Sequence, residues 1–135
     1  MKKYLLPIML LFLTNCSSVK SIETNSTESK MQNLAQSHFG EKYATKKNET
    51  GSHFIVFKKS KKLEDLFATV EFFLFEEGSQ SVIFRDTLKA GSVTWHSGFK
   101  IIAISRNLKT DVNNNRKSTS TYYYDVITKT ITRLH

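Results

Sequence analysis

The sequence predicts an α+β fold, an N-terminal helix packed on an antiparallel β-meander of about six strands. Three observations lead there. Apolar residues from Met31 onward recur at helical spacing, and from His53 onward the chain breaks into short aromatic and β-branched runs divided by turn residues. Between Val70 and Phe75 the apolar residues fall on both sides of a strand, so that strand needs cover on two faces.

The helix is expected from about Thr27 to Tyr43. Asn25 with Glu28 three residues later has the form of a capping box, and Met31, Leu34, Ala35, His38, Phe39 and Lys42 form the stripe. Gly40 offers an earlier stop. His38 reads as a partly buried residue of the helix face, since no second ligand stands at the i+4 position. Lys47-Asn48-Glu49-Thr50-Gly51 then makes a turn, and His53 to Lys58 a strand.

Ala68 to Phe75 fits either periodicity. As a helix from Ser60 to Gly78 it would set Lys61 and Lys62 at the positive end of the dipole and Glu76 and Glu77 at the negative end. As a strand, Val70 to Phe75 has the aromatic content pleated surfaces favour and pairs with Val82 to Arg85 across Glu77-Gly78-Ser79-Gln80. The hairpin is the better reading, with room for one helical turn at Leu63 to Phe67. Phe72 and Leu74 alternate with Phe73 and Phe75. One face should meet the helix, and the other either a second small core or an open groove for a partner.

Ser92 to Trp95 and Phe99 to Ser105 follow, then a polar loop from Asn107 to Thr119, expected to be the most mobile segment. Thr121 to Val126 and Thr130 to Leu134 close the chain as a hairpin around Thr128-Lys129, and Tyr122, Tyr123 and Tyr124 offer an amphipathic surface there. The stretch from Gly91 to Leu134 resembles one blade of a β-propeller. A propeller needs at least four, and no second copy is present, so the likeness reports an antiparallel meander.

The N-terminus carries an address. Lys2 and Lys3 precede an apolar run from Tyr4 to Leu13, about half the length a membrane-spanning helix needs, and the run stops before the single cysteine. Leu13-Thr14-Asn15-Cys16 resembles the lipobox of bacterial lipoproteins, with Asn15 standing where Gly, Ala or Ser is usual. The resemblance covers residues 1–16 only. It implies a signal peptide over residues 1–15 and Cys16 as the lipidated first mature residue. It also implies a periplasm-facing protein of the cell envelope, and Ser17 after Cys16 suits the outer membrane. Ser17 to Ser29, rich in Ser, Thr and Asn with only Val19 and Ile22 apolar, reads as a flexible tether, and the length that remains, residues 30–135, suits one small domain. A thiolate is the nucleophile that takes a diacylglycerol group, and several acyl chains at about 0.8 kcal/mol per buried CH₂ hold a protein durably.

The chain carries a net charge of +8 in alternating blocks: residues 41–62 are strongly basic, residues 64–77 carry five acids and no base, and residues 85–135 are basic again. A basic surface suits anionic lipids, an acidic protein or nucleic acid, and nucleic acid is disfavoured because the basic residues lack a recognition motif.

The inventory for catalysis is thin. His38, His53, His96 and His135 show no metal-ligand spacing, and there is no nucleophile elbow or phosphate-cradling loop. Glu71, Asp86 and Asp125 read as structural ion-pairing groups, and His96 beside Trp95 is the least implausible catalytic residue. No metal or cofactor is expected. The expectation is a non-enzymatic, lipid-anchored binding module whose sheet face meets an envelope partner; the alternatives are a lipoprotein immunity factor or inhibitor, and a weak hydrolase centred on His96.

In a Gram-negative host, the intact mass of the wild type is expected to begin at Cys16 with added acyl groups. Cys16→Ser is expected to leave the membrane fraction. An unacylated, soluble wild type would overturn the anchor.

Overall fold

The computed structural model describes residues 22–61, 67–107 and 118–135. Its elements are one helix, α1 (Ile22–Phe39), and eight strands: β1 (Ala44–Lys47), β2 (His53–Ser60), β3 (Thr69–Glu76), β4 (Ser81–Lys89), β5 (Ser92–Ser97), β6 (Lys100–Asn107), β7 (Ser118–Asp125) and β8 (Thr130–Leu134). The α+β class holds, but the strands do not form one sheet. They make two four-stranded antiparallel meanders, in the orders β1-β2-β3-β4 and β5-β6-β7-β8.

Helix α1 starts at Ile22, so the described part of the expected tether is helical, and the Asn25–Glu28 pair lies inside the helix rather than capping it. It ends at Phe39 because Gly40 turns left-handed at φ 76°, with the Lys58 ammonium donating to the Phe39 carbonyl at 2.6 Å. The helix buries Thr27, Met31, Ala35 and Phe39, spaced by four along one narrow stripe. His38 is exposed, contrary to expectation, and Lys42 lies beyond the helix. The His38 ring leans edge-on against Phe39.

Strand β3 carries the architecture. Phe73 and Phe75 point to α1, where they join Met31, Ala35, Phe39 and Val56 in one core. Phe39 and Phe73 stack there with ring centroids 5.5 Å apart. Val70, Phe72 and Leu74 point the other way, into a second and larger core that Ile101, Tyr124 and other inward residues of the second sheet complete. The molecule therefore has three layers: helix, first sheet, second sheet. Of the two covers open for the second face of β3, the structure shows a core.

The two sheets join through Ala90 and Gly91. Ala90 adopts φ 45°, and its N–H donates to Ala68 O at 3.1 Å. A Cβ on Gly91 would lie 2.1 Å from the carbonyl oxygen of Ile104, so only glycine lets this corner press onto β6. Along another margin, Trp95 Nε1 donates to Lys46 O at 2.9 Å and Lys46 Nζ to Val93 O at 3.4 Å, which links β1 to β5.

The β3–β4 hairpin matches expectation, with Phe75 opposite Val82 and the turn at Glu77–Gln80; a register shift after Leu74 marks a bulge. Pairing brings parts of the basic and acidic blocks side by side, with Lys58 of β2 opposite Glu71 of β3. The possible turn at Leu63 to Phe67 and the loop from Asn107 to Thr119 fall mostly outside the described residues.

Phe72 is 2 % exposed and sits between the sheets. Phe72→Ala is expected to cost about 3–5 kcal/mol in denaturant unfolding. A loss below about 1 kcal/mol would mean that the side chain does not fill the core.

Candidate functional site

Cys16, the one site residue the sequence nominates with a chemical role, lies outside the described residues. The other nominated groups can be placed. They are scattered over the fold.

The register of the second sheet assigns its faces. Trp95, Ile101, Tyr124 and Ile131 stand side by side, as do Val93, Ala103, Tyr122 and Arg133; Trp95, Ile101, Tyr124, Val93, Ala103 and Tyr122 belong to the larger core, so these two rows define the inner face. The alternate rows, Thr94-Ile102-Tyr123-Thr132 and Ser92-Ile104-Thr121-Leu134, define the outer face. The three consecutive tyrosines are thus split: Tyr122 and Tyr124 serve the core and Tyr123 the outer surface. On that surface Ile102, Ile104 and Tyr123 are half-buried. The exposed ring of His96 rests 4.8 Å from that of Tyr123, and nothing among the described residues hydrogen-bonds to it. His96 thus packs on the outer-face tyrosine.

Beneath this face, Tyr122 donates its phenol to Asp86 Oδ2 of the first sheet. Burial first, and then that hydrogen bond, push the Tyr122 phenol far above its ordinary value, while nearby Arg133 pulls weakly the other way. Tyr124 is also raised, by burial and by Asp125, and its ring stacks on Phe84 at 4.2 Å. Asp86 is therefore an acceptor that ties the two sheets together. Asp125 caps the β7–β8 turn: its Oδ1 accepts from Thr128 N–H at 3.0 Å and Ile127 N–H at 2.9 Å, and these bonds hold its carboxyl below the usual range.

The sequence reading missed a second polar group, centred on Asn48 in the β1–β2 turn. Asn48 Oδ1 accepts from His53 N–H at 3.0 Å, and its Nδ2 donates to Gly98 O at 2.7 Å and Thr50 Oγ1 at 2.9 Å. Ser52 Oγ lies 2.8 Å from His53 Nδ1, and His53 Nε2 lies 3.5 Å from Glu76 Oε1. The order Ser–His–Glu has the outline of a hydrolytic triad. Ser52 Oγ also lies 2.7 Å from Thr50 Oγ1 and accepts from Asn48 Nδ2 at 3.4 Å, so it is part of the hydrogen-bonded turn as well. The His53 ring is 5 % exposed. The arrangement pins the β1–β2 turn to the β5–β6 turn. An Asn followed by Thr, Gly and Ser was its only sequence signal, and that pattern is common in turns.

A cavity of about 180 Å³ opens between α1 and the first sheet, floored by Met31, Phe54 and Phe75 and rimmed by Glu28, Lys47 and Glu77. Lys47 lies over the Phe54 ring at 5.0 Å. Among the described residues no three His, Cys, Asp or Glu side chains gather as metal ligands, and no helix is long and apolar enough to cross a membrane.

Tyr122 binds its proton more tightly in the folded state than in the unfolded one. The stability it contributes is complete below about pH 10 and declines as pH rises further. Tyr122→Phe is expected to lose roughly 1–3 kcal/mol at pH 7 and to show a shallower decline above pH 10. Urea unfolding at pH 7 and pH 10.5 checks both; an unchanged alkaline slope would contradict the placement.

No protein-family model matches this chain, and neither a curated protein nor a solved structure is found to be similar to it.

Proposed function

We propose that this protein is a lipid-anchored cell-envelope module that binds a partner protein through its second sheet. One observation carries the reading. The outer face of the first sheet is covered by α1, whereas the outer face of the second carries Ile102, Ile104, Tyr123 and Leu134 with no layer over them among the described residues. Aliphatic and aromatic side chains framed by threonines are the composition of a protein-contact patch.

The anchor belongs to the same proposal and rests on the lipobox-like residues ending at Cys16. Helix α1 begins at Ile22. At a maximum of about 3.5 Å per residue, the intervening chain would hold the start of the helix within about 20 Å of the lipid. The domain would then work close to the membrane, where its partners would be other envelope proteins.

A photo-crosslinking residue in place of Tyr123, in cells making the full-length protein, is expected to trap a partner. The same residue in place of Gln36, exposed on the helix, is expected to trap none. Equal trapping at both positions, or trapping at neither, would overturn the second sheet as the docking surface. Trapping of a secreted toxin or hydrolase would identify the partner class as that of an immunity factor or inhibitor.

A further inference from the structure

Strand edges are the most reactive feature of any sheet, because they present unpaired N–H and C=O groups to a further strand. Three of the four edges here are guarded. Strand β1 is linked to β5 by the Trp95–Lys46 and Lys46–Val93 hydrogen bonds. Strand β5 shares those bonds and is broken by a register shift between Trp95 and Ser97. Strand β4 is bulged opposite Leu74 and Phe75, and its Lys89 N–H donates to Ser105 Oγ of β6 at 3.1 Å.

Strand β8 has none of these guards among the described residues. It pairs with β7 in unbroken register from Thr130 to Leu134, and all five of its residues are exposed. Ile127, Ile131 and Leu134 are 62, 48 and 45 % exposed, so three of the five large apolar side chains exposed among the described residues belong to this strand or the turn leading into it. Ile131 stands on the inner face and Leu134 on the outer, which places apolar surface on both sides of the open edge.

We propose that β8 receives an extended segment of a partner protein as a ninth strand, and that this segment carries carboxylates at alternate positions. The proposal rests on the reading of the second sheet as the docking sheet and names the chemistry of its partner. Charge selects the occupant. From Ile127 to His135 the chain carries Lys129 and Arg133 and no acid. Arg133, on the inner face, makes no ion pair among the described residues; it acts on the Tyr122 phenol, which itself donates to the Asp86 carboxylate. Two-fold antiparallel pairing of β8 with a second copy would bring both arginines onto one face and leave neither charge answered. A strand alternating acid and apolar residues sets its acids on the inner face, where Arg133 stands, and its apolar residues on the outer face beside Leu134, while its backbone satisfies the edge.

The test uses the full-length protein in detergent and fluorescein-labelled heptapeptides, one alternating Val and Glu, one alternating Val and Lys. Anisotropy is expected to rise with the Val/Glu peptide only and to weaken as salt increases. Arg133→Glu is expected to weaken that binding by about tenfold or more and to admit the Val/Lys peptide. Ile131→Asp, at an exposed position, is expected to weaken Val/Glu binding while leaving the thermal unfolding midpoint in place. Binding of both peptides alike, binding of neither, or indifference to Arg133→Glu would overturn the proposal. Sedimentation showing a dimer that Ile131→Asp dissolves would also overturn it, in favour of a second copy. If the peptides fail while a crosslinker at position 123 still traps a partner, strand addition is wrong and the docking face stands; if both fail, the docking sheet itself is wrong.

Discussion

The structure depends on one strand being apolar on both faces. In β3, Phe73 and Phe75 require cover on one side and Phe72 and Leu74 on the other. An exposed aromatic or leucine side chain forgoes about 1.5–3 kcal/mol of burial, so leaving either face in water would cost a large share of the 5–15 kcal/mol that typically stabilises a domain. A single sheet with one helix covers one face only. The second sheet exists, in energetic terms, to cover the other. Its own inward residues, Val93, Ile101, Ala103 and Tyr124, are the complement of Phe72 and Leu74.

The local elements were legible where side-chain chemistry set them. The β3–β4 hairpin followed from aromatic content and from charges that oppose a helix, and β7 and β8 followed from a run of tyrosines, a turn and a second short run. Strand β1 was not legible, because Ala44-Thr45-Lys46-Lys47 contains almost nothing to bury and all four residues are exposed. It exists through backbone pairing with β2 and through the Trp95–Lys46 bond, neither of which leaves a periodic trace. The start of α1 was missed for a related reason: Glu23, Thr24 and Asn25 show no stripe in the sequence, and Thr27, which the helix buries, is a polar residue whose Oγ1 accepts from Gln80 Nε2 at 3.0 Å. The count of six strands in one sheet failed at Gly91, since a glycine between two strands fits a tight hairpin as well as a corner between sheets.

The functional surface was legible only as a suspicion. Alternation guaranteed that Tyr122 and Tyr124 would face opposite to Tyr123, but nothing local said which side would be inside. The partner across the sheet decided it: Phe84 stacks on Tyr124 and Asp86 accepts from Tyr122, and both lie some forty residues earlier in the chain. His53 and Asn48 were invisible as a pair for the same reason, since Gly98 supplies their third partner. Long-range polar contacts are fixed by topology, and topology was what the sequence expressed least.

The two sheets divide stability and exposure unequally. The central strands of the first, β2 and β3, are buried on one face by α1 and on the other by the second sheet, so they tolerate little change, whereas its edge strand β1 is exposed throughout. The second is buried on its inner face only, and that burial fades toward β8, where every residue is exposed. Substitutions at such positions usually shift stability by no more than about 0.5 kcal/mol. The outer face of the second sheet and its free edge can therefore change composition without touching either core. On that outer face Ile102, Ile104 and Tyr123 are only half-buried and Leu134 is exposed, so apolar surface is left uncovered among the described residues. This uncovered surface is what supports the proposal that the second sheet, rather than the one beneath the helix, meets another molecule.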